Sequence, residues 1–181
     1  MKMKFIILIA LFTLGFQAAK AQKNLVTNSG FEEELDAWVD YTAKTTPYIY
    51  KSGSFAAALF SSDAGKWTGM HQVVAIPKKS QYILLSAWLK ADEVAAGKES
   101  WSGGMFLFEW LNSGGEKVGE GSTITAVTGS KDWQLYQKAF FVPAGVAKVK
   151  LMFALGYATG TLFIDEVSMK VLSLEEFEKY Q

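Results

Sequence analysis

Asn24-Leu-Val-Thr-Asn-Ser-Gly-Phe-Glu32 near one end of the chain and Gly160-Thr-Leu-Phe-Ile-Asp-Glu-Val-Ser-Met169 near the other carry most of the fold information. Past Asp165 the second stretch alternates Val167, Met169 and Val171 with Glu166, Ser168 and Lys170, the period of a strand with one buried face. Each stretch ends its apolar run at a carboxylate, Glu32 or Asp165, and Trp38 follows the first. Read together, they are edges of one β-sandwich in which the two ends of the chain meet.

The pattern continues between them. Segments rich in aromatic and β-branched residues alternate with Gly/Ser/Asn/Asp clusters, the signature of a sandwich or barrel. Residues 81–90 put Ile83, Leu85, Ala87 and Leu89 in one apolar row, opposite Ser86, Trp88 and Lys90. Residues 105–111 put Phe106, Phe108 and Trp110 inward, with Leu107 and Glu109 pointing the other way. The turn Asn112-Ser-Gly-Gly115 leads into a further short strand over 117–120, and 133–142 and 148–155 read as a pair joined at Pro143-Ala-Gly145. The acidic tail, residues 172–181, has faint helical spacing and reads as a short cap or loose end. No internal repeat or linker interrupts residues 22–171, so one domain is expected there.

Residues 1–21 read as a cleaved export signal. Lys2 and Lys4 precede an apolar run over 5–16 that is too short to span a bilayer, and Ala19-Lys-Ala21 offers a cleavage site before Gln22. A periplasmic or secreted protein is expected, with about 160 residues in its mature form. The chain has 0 cysteines, which excludes a lipobox and leaves stability to packing or a metal. Formal charge is +0, and loss of Lys2, Lys4 and Lys20 makes the mature domain mildly acidic. Every basic residue is lysine. Arginine is the preferred fork for phosphate and guanine edges, so its absence argues against nucleic acid.

The two terminal motifs, together with Trp38, Lys51-Ser-Gly-Ser54, Trp67-Thr-Gly-Met-His-Gln72, Ser86-Ala-Trp-Leu-Lys90, Asp132-Trp133 and Val142-Pro-Ala-Gly145, resemble carbohydrate-binding modules of the galactose-binding-like jelly-roll type, such as families 4, 9 and 22. The resemblance spans nearly all of residues 24–171. It implies an antiparallel jelly-roll sandwich, non-catalytic binding of a polysaccharide or oligosaccharide, and packing roles for Trp38 and Trp133. It also implies a structural Ca2+ between the chain ends, with carboxylates from Glu32 and Asp165 and backbone carbonyls from Lys51 and Ser54. Two buried carboxylates without a cation would resist ionisation, which favours the ion. Modules of this type are usually joined to an enzyme; a separate glycan-degrading enzyme or surface protein is the expected partner here.

Sugar recognition needs a flat apolar ring beside groups that hydrogen-bond hydroxyls. With 6 Trp, 7 Tyr and 13 Phe, most aromatics must be core. Trp67 is the leading platform candidate because its context is Gly/Lys/Thr rather than an apolar run, followed by Trp88 and by Trp101 in a polar loop. Gln72 and Glu109 are the candidate hydroxyl partners. The single histidine, His71, excludes a multi-histidine metal site and leaves no triad, so it reads as a packing residue. Glycoside hydrolysis would need a second acid, or for a lyase a tyrosine and base, facing Glu109, the only acid in mid-strand. The competing reading is a structural or protein-interaction domain on the same fold.

Overall fold

The structure is a computed structural model that describes residues 22–40 and 42–181; the expected signal segment lies outside them. Among the described residues ten strands form two five-stranded antiparallel sheets. The first sheet orders β1 (Val39–Asp40), β4 (Trp67–Ala75), β9 (Lys148–Gly156), β6 (Gly103–Leu111) and β7 (Ser122–Val127). The second orders β2 (Lys44–Thr46), β3 (Ala56–Ser61), β10 (Ala158–Leu172), β5 (Tyr82–Ala96) and β8 (Gly129–Phe141). The protein is a jelly-roll β-sandwich. All four crossovers that follow β3, β5, β7 and β9 pass from one sheet to the other at the same end of the sandwich.

The alternation expected over 81–90 and 105–111 holds. Ile83, Leu85, Ala87 and Leu89 face Phe106, Phe108, Val149, Leu151, Phe153 and Leu155 in one core. Trp38 joins that core against Phe31 and Phe153, with ring centroids at 5.3 and 6.0 Å. In β10, Leu162 and Ile164 point inward, yet so do Val167 and Met169, which differ in parity. The register shift between Asp165 and Ser168, with Glu166 at φ 51, reconciles the two rows. The bulge swings Glu166 outward while Asp165 stays fully buried.

The chain ends do meet. Leu25 N–H donates to the Met169 carbonyl at 2.9 Å and Val167 N–H to the Ser29 carbonyl at 2.9 Å. The Asn24 amide donates to Val167 and accepts from Met169 N–H. These bonds satisfy the backbone that the bulge would otherwise orphan.

Three expectations need correction. β8 and β9 are not paired: the 143–145 turn carries the chain between sheets, and β9 pairs with β4 and β6. Residues 117–120 contribute only a single bridge, Leu111 to Lys117, and the strand beside β6 is β7, whose Thr-Ile-Thr core matches β propensity. Trp133 is half-buried on the edge strand β8 and stays outside the core cluster.

The tail is a cap. Ser173 and Glu176 form a reciprocal capping box that starts α1 (Leu174–Glu178). Phe177 stacks on Tyr82 at 4.4 Å, over a small second cluster of Leu84, Ala139 and Leu172.

Candidate functional site

Two places bring the predicted residues together. The first is loop 51–55, clasped by both chain ends. Asp165 accepts from Lys51 N–H at 2.8 Å, Ser52 N–H at 3.0 Å and Glu166 N–H at 2.7 Å. Glu32 accepts from Ser54 N–H at 2.9 Å and Phe55 N–H at 3.2 Å. Glu166 accepts from the Ser52 hydroxyl at 2.5 Å. A Cβ on Gly53 would lie 2.1 Å from Glu32 Oε1, and its φ is 65, so only glycine allows this closure.

Burial pushes the Asp165 carboxyl above the usual carboxylate range; the N–H donors of Ser52, Lys51 and Glu166 pull against it, and the Glu166 charge adds to the rise. Among the described residues no ion pair offsets that charge, and the Lys51 ammonium stands over the Trp88 ring at 4.2 Å instead. The donors are hard oxygens, the chemistry Ca2+ takes, and a cation would neutralise the buried carboxylate. Among the described residues no three His, Cys, Asp or Glu side chains gather to hold an ion by themselves. The Lys51 and Ser54 carbonyls would have to complete the set begun by Glu32 and Asp165.

The second place is the outer face of the β1-β4-β9-β6-β7 sheet. Here the register lines Trp67 up with Gly156, Gly69 with Ala154, His71 with Met152 and Leu107, and Val73 with Lys150 and Glu109. A Cβ on Gly69 would lie 3.2 Å from the Trp67 indole nitrogen, and one on Gly156 would lie 2.9 Å from the far edge of the same ring. The indole therefore lies down along the sheet over two glycines, with its other face outward, and Trp67 is 46% exposed. Beside it is a depression of about 300 Å³ lined by Thr42, Gly69, His71, Lys150 and Met152. A second, of about 190 Å³, continues past Met152 to Leu107, Glu109, Lys117, Glu120 and Thr123. The two make a diagonal groove across four strands, roughly 20 Å long from strand spacing and rise.

Charges in the groove are paired. Lys150 lies 3.7 Å from Glu109 and Lys117 lies 3.6 Å from Glu120, so the face offers hydroxyl partners without a net field. Partial burial holds the His71 pKa below the ordinary histidine value; the Lys150 charge adds to that and Glu109 opposes it. At neutral pH His71 is an uncharged donor and acceptor.

The structure thus puts Trp67 and Glu109 on one face. Trp101 sits at the rim by the start of β6, 45% exposed and edge-to-face with Tyr157. Trp88 is on the opposite face of the sandwich, in a depression with Ser86, Leu135 and Lys170. Gln72 does not reach ligand space: it is buried, accepting from Thr27 N–H at 3.0 Å and donating to the Thr27 carbonyl at 2.9 Å. It sits one residue from His71, and the strand's alternation gives Gln72 the core side and His71 the groove. That parity, counted from Met70 and Val74, was the available signal. Lys150 and Met152 could have been found the same way, as the outward residues of β9.

No family model and no curated protein sequence matches the chain. Solved structures do. The family 16 carbohydrate-binding module-2 aligns at TM-score 0.60 and 20% identity, over 81% of this chain and 99% of that one. The two share the jelly-roll β-sandwich fold. The CBM22-1 xylan-binding domain from Paenibacillus barcinonensis Xyn10C aligns at TM-score 0.59 and 16% identity, over 86% of this chain and 99% of that one. The enzymatically active domain of bacteriophage CBA120 tailspike protein 4 aligns at TM-score 0.68 and 16% identity over 82% of this chain, which spans only 21% of the tailspike chain.

Proposed function

We propose that the chain is an exported, non-catalytic glycan-binding protein and that the groove headed by Trp67 takes a polysaccharide or oligosaccharide. The observation that carries this reading is the Trp67 indole laid flat over Gly69 and Gly156, heading a depression lined by His71 and Lys150, with Glu109 at the far end of the groove. A sugar ring offers its C–H face to such a surface and its hydroxyls to the polar groups around it. A solved neighbour named as a xylan-binding domain on the same fold supports the class of ligand. Affinity is expected between about micromolar and millimolar, roughly −8 to −4 kcal/mol.

Loop 51–55 with Glu32 and Asp165 is the proposed structural Ca2+ site. The ion would fasten the two chain ends to one loop and would stabilise the fold rather than touch the sugar. Export would place the protein in the periplasm or outside the cell, where glycan is met, beside a separate glycan-degrading enzyme or surface protein.

The test is affinity electrophoresis in gels cast with xylan, β-glucan, mannan and other soluble polysaccharides, with calcium present. Retardation by one of them that is lost in Trp67→Ala is the expected result. Uniform mobility across the panel would overturn the reading in favour of a protein-interaction domain.

A further inference from the structure

The head of the groove does not end at Trp67. Tyr157 directly follows Gly156, the residue opposite Trp67, and its N–H donates to the Lys66 carbonyl at 3.1 Å. Regular alternation after the outward-facing Gly156 would send Tyr157 into the core. Its φ of 49 turns the ring outward instead, and it stands 39% exposed. Trp101 meets it with centroids 5.6 Å apart and planes at 89°. An edge-to-face contact covers at most one face of one ring, and both rings remain partly exposed, Trp101 at 45%.

The surroundings are built, and they come from three of the crossovers at that end of the sandwich. Gly97 N–H donates to the Tyr157 carbonyl at 2.9 Å, and a Cβ on Gly97 would lie 2.4 Å from the same oxygen. Asp63 accepts from Gly65 N–H at 2.8 Å and pairs with Lys66 at 3.3 Å, holding the neighbouring loop. Between these loops lies a depression of about 360 Å³, with Lys98 and Glu99 on its wall. A large ring held outward in a left-handed conformation, against a second exposed ring and beside two polar side chains, repeats the chemistry of the Trp67 platform one step farther on.

We propose that the binding surface runs from Trp67 over the rim onto Tyr157 and Trp101, which form an additional subsite for a further sugar residue of the same glycan chain. This rests on the groove taking glycan.

The test is calorimetric titration of the protein with xylan-, glucan- and mannan-derived oligosaccharides from disaccharide to hexasaccharide. The wild type is compared with Trp101→Ala, Tyr157→Asn and Trp67→Ala. Asparagine tolerates positive φ, so Tyr157→Asn removes the ring without adding strain, and a thermal melt checks both rim variants. The longest ligands should lose about tenfold in affinity in each rim variant while the shortest binders are unchanged. No loss, or equal loss at every length, overturns the rim subsite, and loss of binding in Trp67→Ala alone would then leave the groove standing. Failure of the wild type to bind any of these sugars overturns both.

Discussion

Replacing Asp165 with alanine removes the one carboxylate that receives Lys51, Ser52 and Glu166 N–H groups from inside the protein. Hydrogen bonds to a charged group contribute about 1.5–3 kcal/mol each, but they are not additive. Lys51 and Ser52 are themselves exposed, so water recovers part of their loss, and removing a buried charge offsets more. The net destabilisation expected in chelator at neutral pH is about 2–4 kcal/mol, or about 5–15 °C in melting temperature for a domain of this size. Asp165→Asn keeps an acceptor and should lose about half as much.

The pH dependence has a definite sign. Burial raises the folded-state pKa of Asp165, so its contribution to stability is fully present below the unfolded pKa and is lost as pH rises through the folded value. Ion-free wild type should therefore lose stability over that window, and Asp165→Asn should not. Added Ca2+ at about a hundred times its dissociation constant should return about 2.7 kcal/mol to the wild type and little to either variant. Urea titrations with and without calcium decide the matter. A loss below about 1 kcal/mol in Asp165→Ala, or an equal calcium response in wild type and variant, refutes the account.

Gly156→Ala should cost about 1–3 kcal/mol by overpacking, because the new methyl meets Met105 Sδ at 2.6 Å and the Trp67 ring at 2.9 Å. The tilted indole should show in near-ultraviolet circular dichroism and in weakened glycan retention. Gln72→Leu should destabilise by about 1–3 kcal/mol, since Thr27 loses both partners, while glycan binding stays unchanged by affinity electrophoresis. The His71 titration followed by NMR should have its midpoint below the ordinary histidine value; Lys150→Met should move it up and Glu109→Gln down. Because that pKa is depressed in the fold, the His71 contribution to stability is present above its unfolded pKa and lost as pH falls through the folded one.

The sandwich could be read in the sequence wherever one face of a strand is wet and the other dry, as in β5 and β6. It could not where pairing decides the outcome. Residues 143–145 look like a hairpin turn, yet Val142 N–H goes to the Gln81 carbonyl and the following strand joins the other sheet. The meeting of the chain ends was legible because a carboxylate at each end needed a shared partner. That the partner is a row of N–H groups on loop 51–55 depends on a bulge whose residues, Glu166 and Val167, carry no turn signal. In the candidate site, Trp67 stood out by its polar context, whereas its orientation depends on Gly69 and Gly156, brought together by the β4–β9 register.

All four crossovers that follow β3, β5, β7 and β9 gather at one end of the sandwich, and the termini of the domain gather at the other. Gln22 donates to Glu176 at 2.6 Å, and α1 packs on Tyr82 where β5 begins. Anything tethered through either terminus, whether a neighbouring domain, a surface or a chromatography bead, would hold the protein by its base. Trp67, Tyr157 and Trp101 would then face away from the anchor. The molecule is polar in the sense of a plug: one end suits attachment, and the other is left free to search.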